Sequence, residues 1–269
     1  MGATRRLLVN ADDLGLVPGI NRGIERAFQD GIVRSASLLV NAPGFADALT
    51  LVKRNPSLSV GVHLTLVGGD GPVSAPSKVP TLVDGKGRFP PSYGSFIARY
   101  AAVSSREVDR ELSAQIERAL AAGISPTHLD THQHLHLLPM IADVVLSLAV
   151  RYAIGRIRCP RGVGGIMGPP VAILAEMLRR KIERKGLSTC DHFAGFRRSG
   201  RLNQEALLEI VRGVKEGTTE LMVHPGQGSS EAVSRYGWNM SWERELRALV
   251  SDEAHEAVKL GDIELIGRL

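Results

Sequence analysis

The chain has 269 residues, 43% of them hydrophobic and 23% charged, so it can bury a substantial core and is not predominantly disordered. Its 33 lysines and arginines exceed its 28 aspartates and glutamates by five. These charges are scattered along the chain instead of forming the basic stripe of a nucleic-acid-binding protein. We therefore expect no nucleic-acid partner.

The sequence shows neither a membrane span nor a secretion signal. Its most apolar stretch, residues 140–150, includes Asp143 and is too short to cross a bilayer. No apolar signal-peptide region precedes the first predicted strand. Cys159 and Cys190 are too few for a disulfide framework and lack zinc-finger spacing. We expect a cytoplasmic protein, and leave open peripheral contact with a membrane and a homodimeric state.

Short apolar strands alternate with amphipathic helices from the start of the chain. In chain order, the pattern predicts a buried strand at residues 6–10, a helix at 18–30, a strand at 35–40, a helix at 45–53 and a strand at 58–66. Residues 67–93 interrupt this alternation and are rich in Gly, Pro and Ser. Because loops of this length in compact domains usually serve a function, we expect a lid or a substrate wall here.

The alternation resumes after this segment. A helix capped by Ser104 or Ser105 and ending at Gly123 is predicted first. It is followed by a strand at residues 127–131, a helix at 139–152, a strand at 154–159, helices at 171–185 and 203–216, a strand at 220–223, a helix from 242 and a strand at 263–266. The basic stretch 179–185 is interpreted as a solvated helix face, with contact to anionic lipid or sugar phosphate as the alternative.

The order of these elements indicates the fold. Six or seven consecutive βα units predict a mostly parallel sheet. No linker or internal repeat divides the chain. We expect an α/β protein in which residues 1–269 form a single domain, a complete or distorted (β/α) TIM-like barrel.

Polar side chains follow four of the predicted strands. They are Asp12 and Asp13 after the first strand, His63 at the end of the third, Asp130, His132, His134 and His136 around the end of the fourth, and His224 after the strand at 220–223. In parallel α/β folds the carboxyl ends of the strands meet at one rim, where sites are built. The sequence therefore predicts that carboxylates and imidazoles converge there.

Each of these residues also has a purely structural interpretation. Asp12 and Asp13 suit a turn or a helix cap, His63 suits a core position, and His224 suits a turn before Pro-Gly. The histidines at 132, 134 and 136 alternate along what reads as an extended segment, which would place three imidazoles on one face. Taken together, these residues favour a divalent-metal site, because mixed Asp/His ligation leaves positions open for water and substrate.

At these residues the sequence resembles the YdjC family of carbohydrate deacetylases, which includes the chitooligosaccharide deacetylases. The matching segments appear in the family's order: VNADDLG at 9–15, GIVRSASLLVN at 31–41, GVHL at 61–64, PTHLDTHQHLH at 126–136 and HPG at 224–226. This chain has Gln133 where the family usually has a second histidine. Residues 82–91 also resemble the branch associated with hopanoid biosynthesis, which implies an N-acetylglucosaminyl lipid as substrate.

The resemblance implies a TIM-barrel-like fold and removal of an N-acetyl group from a sugar. Carried over by position, it assigns one divalent cation, magnesium or zinc, to Asp13, His63 and His132. It assigns the general base to Asp12 and the general acid to His224.

Two alternatives remain at this stage: another divalent-metal hydrolase on a similar barrel, such as a phosphoesterase or an amidohydrolase, and a non-catalytic sugar- or lipid-binding protein. Trp238 and Trp242 suit either the core or a stacking wall for a sugar ring.

Overall fold

The computed structural model of this chain describes residues 4–161 and 168–269, and a parallel sheet lies at its centre. Its strands are β1 (Arg5–Leu14), β2 (Ser35–Leu38), β3 (Ser59–Leu64), β4 (Leu129–Thr131), β5 (His192–Ala194), β6 (Gly217–Val223) and β7 (Ile263–Leu265). The strand order is β4-β3-β2-β1-β6-β5, and β7 pairs with the first residues of β1. Every strand pair is parallel, as the alternation of strands and helices predicts.

Backbone hydrogen bonds continue from β4 towards β5, so the sheet curves back on itself. The Leu129 amide donates to the Arg156 carbonyl at 3.0 Å, and the Ile157 amide donates to the Ser188 carbonyl at 3.0 Å. The chain then runs from Ser188 into β5. The architecture is a distorted TIM-like barrel, which confirms the expected α/β class.

Helices surround the sheet on its outer side. They are α1 (Pro18–Gln29), α2 (Phe45–Arg54), α3 (Tyr93–Ile97), α4 (Ser105–Ala121), α5 (Pro139–Arg151), α6 (Gly168–Arg184), α7 (Gln204–Arg212), α8 (Ser230–Tyr236), α9 (Trp242–Leu249) and α10 (Asp252–Leu260). In α4, Val108, Leu112 and Ile116 recur every four residues and are fully buried. This periodicity is what predicted the helix, because it places one apolar stripe against the core.

Several predicted boundaries differ from the structure. β1 continues to Leu14, so Asp12 and Asp13 belong to the strand instead of following it. Residues 154–159 form isolated β-bridges at Arg156 and Ile157, not a full strand. No strand was predicted at β5 and no helix at α3 or α8, and the single helix expected from Trp242 is two helices, α9 and α10.

The segment after β3 is mostly irregular, as its composition predicts. It contains one 3-10 turn (Pro76–Lys78) before α3. The Glu111 carboxylate on α4 anchors it by accepting hydrogen bonds from the amides of Val73 and Ser74, at 2.8 and 2.9 Å. The backbone of this long loop is therefore fixed to the body of the barrel.

The basic stretch at the end of α6 forms a solvated helix face, as predicted. Arg180 is exposed and pairs with Glu176 one turn away on the same helix, at 3.0 Å. Within residues 4–161 and 168–269, no helix combines the length and the apolar character needed to cross a bilayer.

Candidate metal centre

Four strands deliver the predicted site residues to one rim of the barrel. Asp12 and Asp13 lie near the end of β1, His63 lies near the end of β3, and His132 and His224 directly follow β4 and β6. All five line the same cavity of about 580 Å³. The convergence that the sequence predicted is therefore present.

Three of these residues bring their ligand atoms together in a triangle. Asp13 Oδ1 lies 3.1 Å from His132 Nδ1 and 3.6 Å from His63 Nε2, and the two nitrogens are 3.3 Å apart. All three side chains are at least nine-tenths buried. Among the described residues, Asp13 Oδ1 has no hydrogen-bond partner.

The backbone of β1 explains how Asp13 reaches this position. The pairing of β1 with β2 shifts register between Ala11 and Leu14, and Asp13 has a φ of 66°. Aspartate is one of the few residue types other than glycine that tolerates this left-handed conformation. The irregularity lets Asp12 and Asp13 make different contacts although they are neighbours in sequence.

Asp130 sets the orientation of the His63 ring. Its carboxylate lies 2.8 Å from His63 Nδ1 and accepts a hydrogen bond from it, so Nε2 points into the triangle, where a cation would have to displace its proton to bind the lone pair. Burial alone would lower the pKa of His63, but Asp130, with Asp12 and Asp13, outweighs it and raises this pKa to about 9. Burial would likewise raise the pKa of Asp13, but His132 and His63 hold it well below its usual range.

These three atoms fit a divalent cation. Metal–ligand bonds of about 2.0–2.2 Å at angles between 90° and 109° place neighbouring ligand atoms roughly 2.8–3.6 Å apart. The separations of 3.1, 3.3 and 3.6 Å are close to that range. Asp13 Oδ1, which has no hydrogen-bond partner among the described residues, is available to a positively charged ligand.

A second group of buried charges surrounds Arg158, which the sequence analysis did not single out. Its guanidinium binds Asp12 through two hydrogen bonds of 2.6 and 2.7 Å and Glu220 through one of 2.7 Å, and it lies 2.8 Å from Asp130. Burial would lower the pKa of Arg158, but the three carboxylates hold it well above its usual value. The signal available in the sequence was the alternation of Arg156 and Arg158 within an otherwise apolar segment.

Arg158 bears on whether a second cation binds nearby. Asp12, His63 and Asp130 also present ligand atoms close to one another. The guanidinium already forms ion pairs with both of these carboxylates. Of the two groups in the described part of the chain, Asp13, His63 and His132 are therefore the better candidate for a cation, because their carboxylate is not paired with Arg158.

The prediction of three imidazoles on one face is wrong. Residues His132–Leu137 form a 3-10 turn in which Gln133 and His134 both have a φ of 54°. His136 points away into the core, where it contacts the Thr131 hydroxyl at 2.6 Å and the Arg158 carbonyl at 3.1 Å. Burial lowers the pKa of His136 to about 4, so it is a neutral structural residue.

His134 and His224 remain at the cavity wall. The His134 ring lies beside the rings of Phe193 and Phe196, with centroid separations of 5.9 and 5.1 Å. The backbone amide of His224 donates to the buried Glu245 carboxylate at 2.6 Å. His224 Nδ1 has no partner among the residues described.

The two tryptophans have different environments. Trp242 is fully buried in the core. Trp238 lines the cavity and stacks on His132, with ring centroids 5.2 Å apart. A stacking role towards a sugar stays a prediction for Trp238 and is wrong for Trp242.

A larger cavity of about 1040 Å³ lies beside β5 and α7. Charged side chains of both signs line it, including Arg161, Asp191, Glu209 and Lys215. None of the five predicted site residues lines this cavity. Size therefore does not identify the candidate site, whereas the convergence of ligand atoms does.

Comparison with known proteins identifies the family of this chain. The family profile described as YdjC-like protein matches residues 6–260. A protein of Brevibacillus brevis described as a carbohydrate deacetylase is 33% identical over 97% of this chain and 97% of its own length. A protein of Thermoanaerobacter pseudethanolicus with the same description is 30% identical over 96% of each chain.

Two solved structures share the fold. One, from Enterococcus faecalis and described as a cellobiose-phosphate cleavage protein, has a TM-score of 0.85 and 28% identity, covering 98% of this chain and 97% of its own. The other is a lactam utilization protein from Thermus thermophilus. It has a TM-score of 0.52 and 18% identity, covers 97% of this chain and 99% of its own, and shows the fold alone.

Proposed function

This chain belongs to the YdjC-like family, and on that premise we propose that it is a divalent-cation-dependent hydrolase that removes the N-acetyl group from an amino sugar. The products are acetate and the free amine. The relatives from B. brevis and T. pseudethanolicus, both described as carbohydrate deacetylases, support the reaction. The observation that carries the proposal is the buried triangle of Asp13, His63 and His132 beside Asp12 and His224 in one cavity.

Asp13, His63 and His132 would hold the cation. When bound, a divalent cation supplies a Lewis acid that polarises a carbonyl and makes water more acidic. Mixed carboxylate and imidazole ligands suit magnesium, zinc and other first-row metals alike. The proposal therefore specifies the ligands and not the element.

Asp12 is proposed to act as the general base. Its Oδ1 accepts hydrogen bonds from Asn10 and Arg158, and its Oδ2 accepts one from Arg158, each between 2.6 and 2.8 Å. A carboxylate oxygen has about two acceptor sites, so contacts with the described residues leave one free on Oδ2. That site would take the proton of the water that attacks the acetamide carbon.

His224 is proposed to act as the general acid. It lines the same cavity as Asp12 but comes from β6, and the Glu245 carboxylate fixes its backbone. As the amide C–N bond breaks, the departing nitrogen takes a proton from the imidazole. The separation of acid and base on two strands lets each face a different side of the scissile bond.

The lipid-linked substrate implied by residues 82–91 stays a prediction. Leu82, Val83 and Phe89 in this segment are buried in the core. None of residues 82–91 lines the candidate cavity, so the segment supports the loop and does not identify the substrate.

The test is an acetate-release assay on a panel of N-acetylglucosamine-bearing sugars, with the metal content of the purified protein measured in parallel. Asp12→Asn should lower turnover by about two to four orders of magnitude while leaving the bound cation in place. Asp13→Asn and the double variant His63→Ala, His132→Ala should lose both the cation and the activity. His255→Ala, an exposed histidine on α10, is the matched control and should behave as wild type.

Three outcomes would contradict the proposal. Wild-type turnover by the His63→Ala, His132→Ala variant would exclude a catalytic cation at this position. Release of phosphate and not acetate would favour a phosphoesterase. Cation-independent sugar binding without hydrolysis would favour a binding protein.

A further inference from the structure

The two imidazoles of the candidate metal centre are oriented in different ways. His63 donates a hydrogen bond from Nδ1, the nitrogen that faces away from the triangle, to the Asp130 carboxylate. Metal-binding histidines usually make such a bond to a carboxylate or a carbonyl. His132 presents Nδ1 to the triangle, and its Nε2 is buried without a hydrogen-bond partner in the described part of the chain. Apart from the Nδ1 contacts inside the triangle, no hydrogen bond among the described residues orients the His132 ring.

Packing from two separate segments surrounds this ring. Trp238 stacks on His132 with an interplanar angle of 29°, and Tyr236 stacks on Trp238 with centroids 4.8 Å apart and an angle of 26°. The backbone of Gly68, in the loop after β3, lies near the ring edge. A Cβ added to Gly68 would lie 3.7 Å from His132 Nε2.

Asp70 fastens these two segments to each other. It lies two residues after Gly68, and its carboxylate accepts hydrogen bonds from Arg235 at 2.7 Å and from the Tyr236 hydroxyl at 2.6 Å. Its carbonyl accepts a hydrogen bond from the Phe89 amide at 3.0 Å, which fixes the loop on its other side. The contacts Asp70–Tyr236–Trp238–His132–Gly68, with the chain from Gly68 to Asp70, thus form a closed circuit that includes the His132 ring.

We infer that Tyr236 and Trp238, fastened by Asp70, are positioning residues that hold the His132 imidazole in its cation-binding orientation. This inference rests on the proposed function, because it concerns the same cation. The packed rings replace the missing hydrogen bond by restricting rotation of His132. The long loop after β3 therefore contributes to the metal centre without supplying a ligand.

The contacts predict which substitutions weaken cation binding. Trp238→Leu keeps an apolar side chain but removes the stacked ring, so it should raise the Co²⁺ dissociation constant about 10–100-fold, as loss of an orienting partner does. Trp238→Phe restores a ring and should bind Co²⁺ nearly as tightly as wild type. Asp70→Ala releases Tyr236 and should weaken binding about tenfold.

Asp109→Ala is the matched control for Asp70→Ala. Like Asp70, Asp109 accepts two hydrogen bonds through its carboxylate, here both from Arg151 at 3.0 and 3.2 Å, but it lies on the outer surface of α4 and α5. The full-length protein, stripped of metal with a chelator, is titrated with Co²⁺. Affinity and the visible absorption of the bound ion are recorded, and thermal unfolding of the metal-free variants is measured beside them. A purely structural role would lower thermal stability without changing the affinity or the absorption spectrum.

The outcomes separate this inference from the proposed function. If wild type binds neither Co²⁺ nor Zn²⁺, the proposed cation site itself is wrong. If wild type binds Co²⁺ and Trp238→Leu binds it equally well with the same spectrum, the positioning role is overturned. Should Trp238→Leu not fold, Asp70→Ala decides: an affinity equal to that of Asp109→Ala would overturn the inference.

Discussion

Two clusters of buried polar groups lie side by side in the barrel, and they differ in how completely their hydrogen bonds are made. Around Arg158, three carboxylates all face one guanidinium. In the neighbouring triangle, Asp13 Oδ1 faces two imidazoles and has no hydrogen-bond partner among the described residues. The neighbours Asp12 and Asp13 belong to different clusters. Each carboxylate around Arg158 is paired with a guanidinium, which supports the fold, whereas the carboxylate oxygen of Asp13 is available to a ligand.

The largest expected effect comes from breaking the Arg158 cluster. Arg158→Met should lower the free energy of unfolding by about 3–5 kcal/mol, because it leaves buried carboxylates without the guanidinium that pairs with them. Urea unfolding followed by circular dichroism measures this. Arg151→Met, which breaks an exposed pair with Asp109, should leave the unfolding midpoint almost unchanged. Equal midpoints for the two variants would show that the Arg158 cluster does not support the fold.

The triangle should add stability only when its ligand is present. A cation at a hundred times its dissociation constant should raise the unfolding free energy of wild type by about 2.7 kcal/mol, since it binds the native state. If the Asp13→Asn variant binds the cation about a hundredfold more weakly than wild type, its unfolding free energy should rise by only about 0.4 kcal/mol at the same cation concentration. Unfolding curves with and without cation measure both values. Equal gains in the two proteins would place the cation elsewhere.

A smaller effect is expected where a hydroxyl joins the buried network. Ser37 Oγ donates to Asp130 at 2.8 Å, accepts from Asn10 at 2.8 Å and lies 3.0 Å from His128 Nε2. Ser37→Ala should therefore cost about 1–3 kcal/mol of unfolding free energy, because buried polar groups lose their partner. Ser57→Ala, at an exposed position, should stay within about 0.5 kcal/mol of wild type. Urea midpoints that coincide for these two variants would contradict the network.

The smallest expected effect is on thiol chemistry in the folded protein. Burial raises the pKa of both Cys159 and Cys190 to about 12, so almost no thiolate is present at neutral pH. Iodoacetamide should leave both cysteines unmodified in buffer and modify both in urea, as intact mass will report. Cys190 lies beside Arg156, 3.8 Å from its guanidinium. Modification of Cys190 alone, without unfolding, would show that this side of the barrel opens locally.

The sequence predicted the fold class because the alternation of strands and helices is a local pattern. It also located Asp12, Asp13, His63, His132 and His224 at the rim, because parallel strands end together. It did not predict the turn at 132–137, where two consecutive residues other than glycine adopt positive φ. It missed β5, because three half-buried residues give no periodic signal.

The partners of Arg158 could not be predicted from local patterns, for a different reason. Its partner Asp12 lies 146 positions away along the chain, and nothing near either residue indicates the pairing. The same holds for Asp70 and Tyr236, which are 166 positions apart. Such pairs form only when the closing of the barrel brings their strands and loops together.

By itself the sequence determined which chemical groups this protein carries and at which edge of the sheet they gather. The reason is that residue type and the pattern of apolar residues in each strand are local features of the sequence. Only the tertiary structure decided which carboxylate faces a guanidinium, which faces two imidazoles, and which histidines are buried as core residues. The physical reason is that burial and charge partners come from distant segments. Those surroundings, and not the residue type, set the protonation state and the free lone pairs of each group.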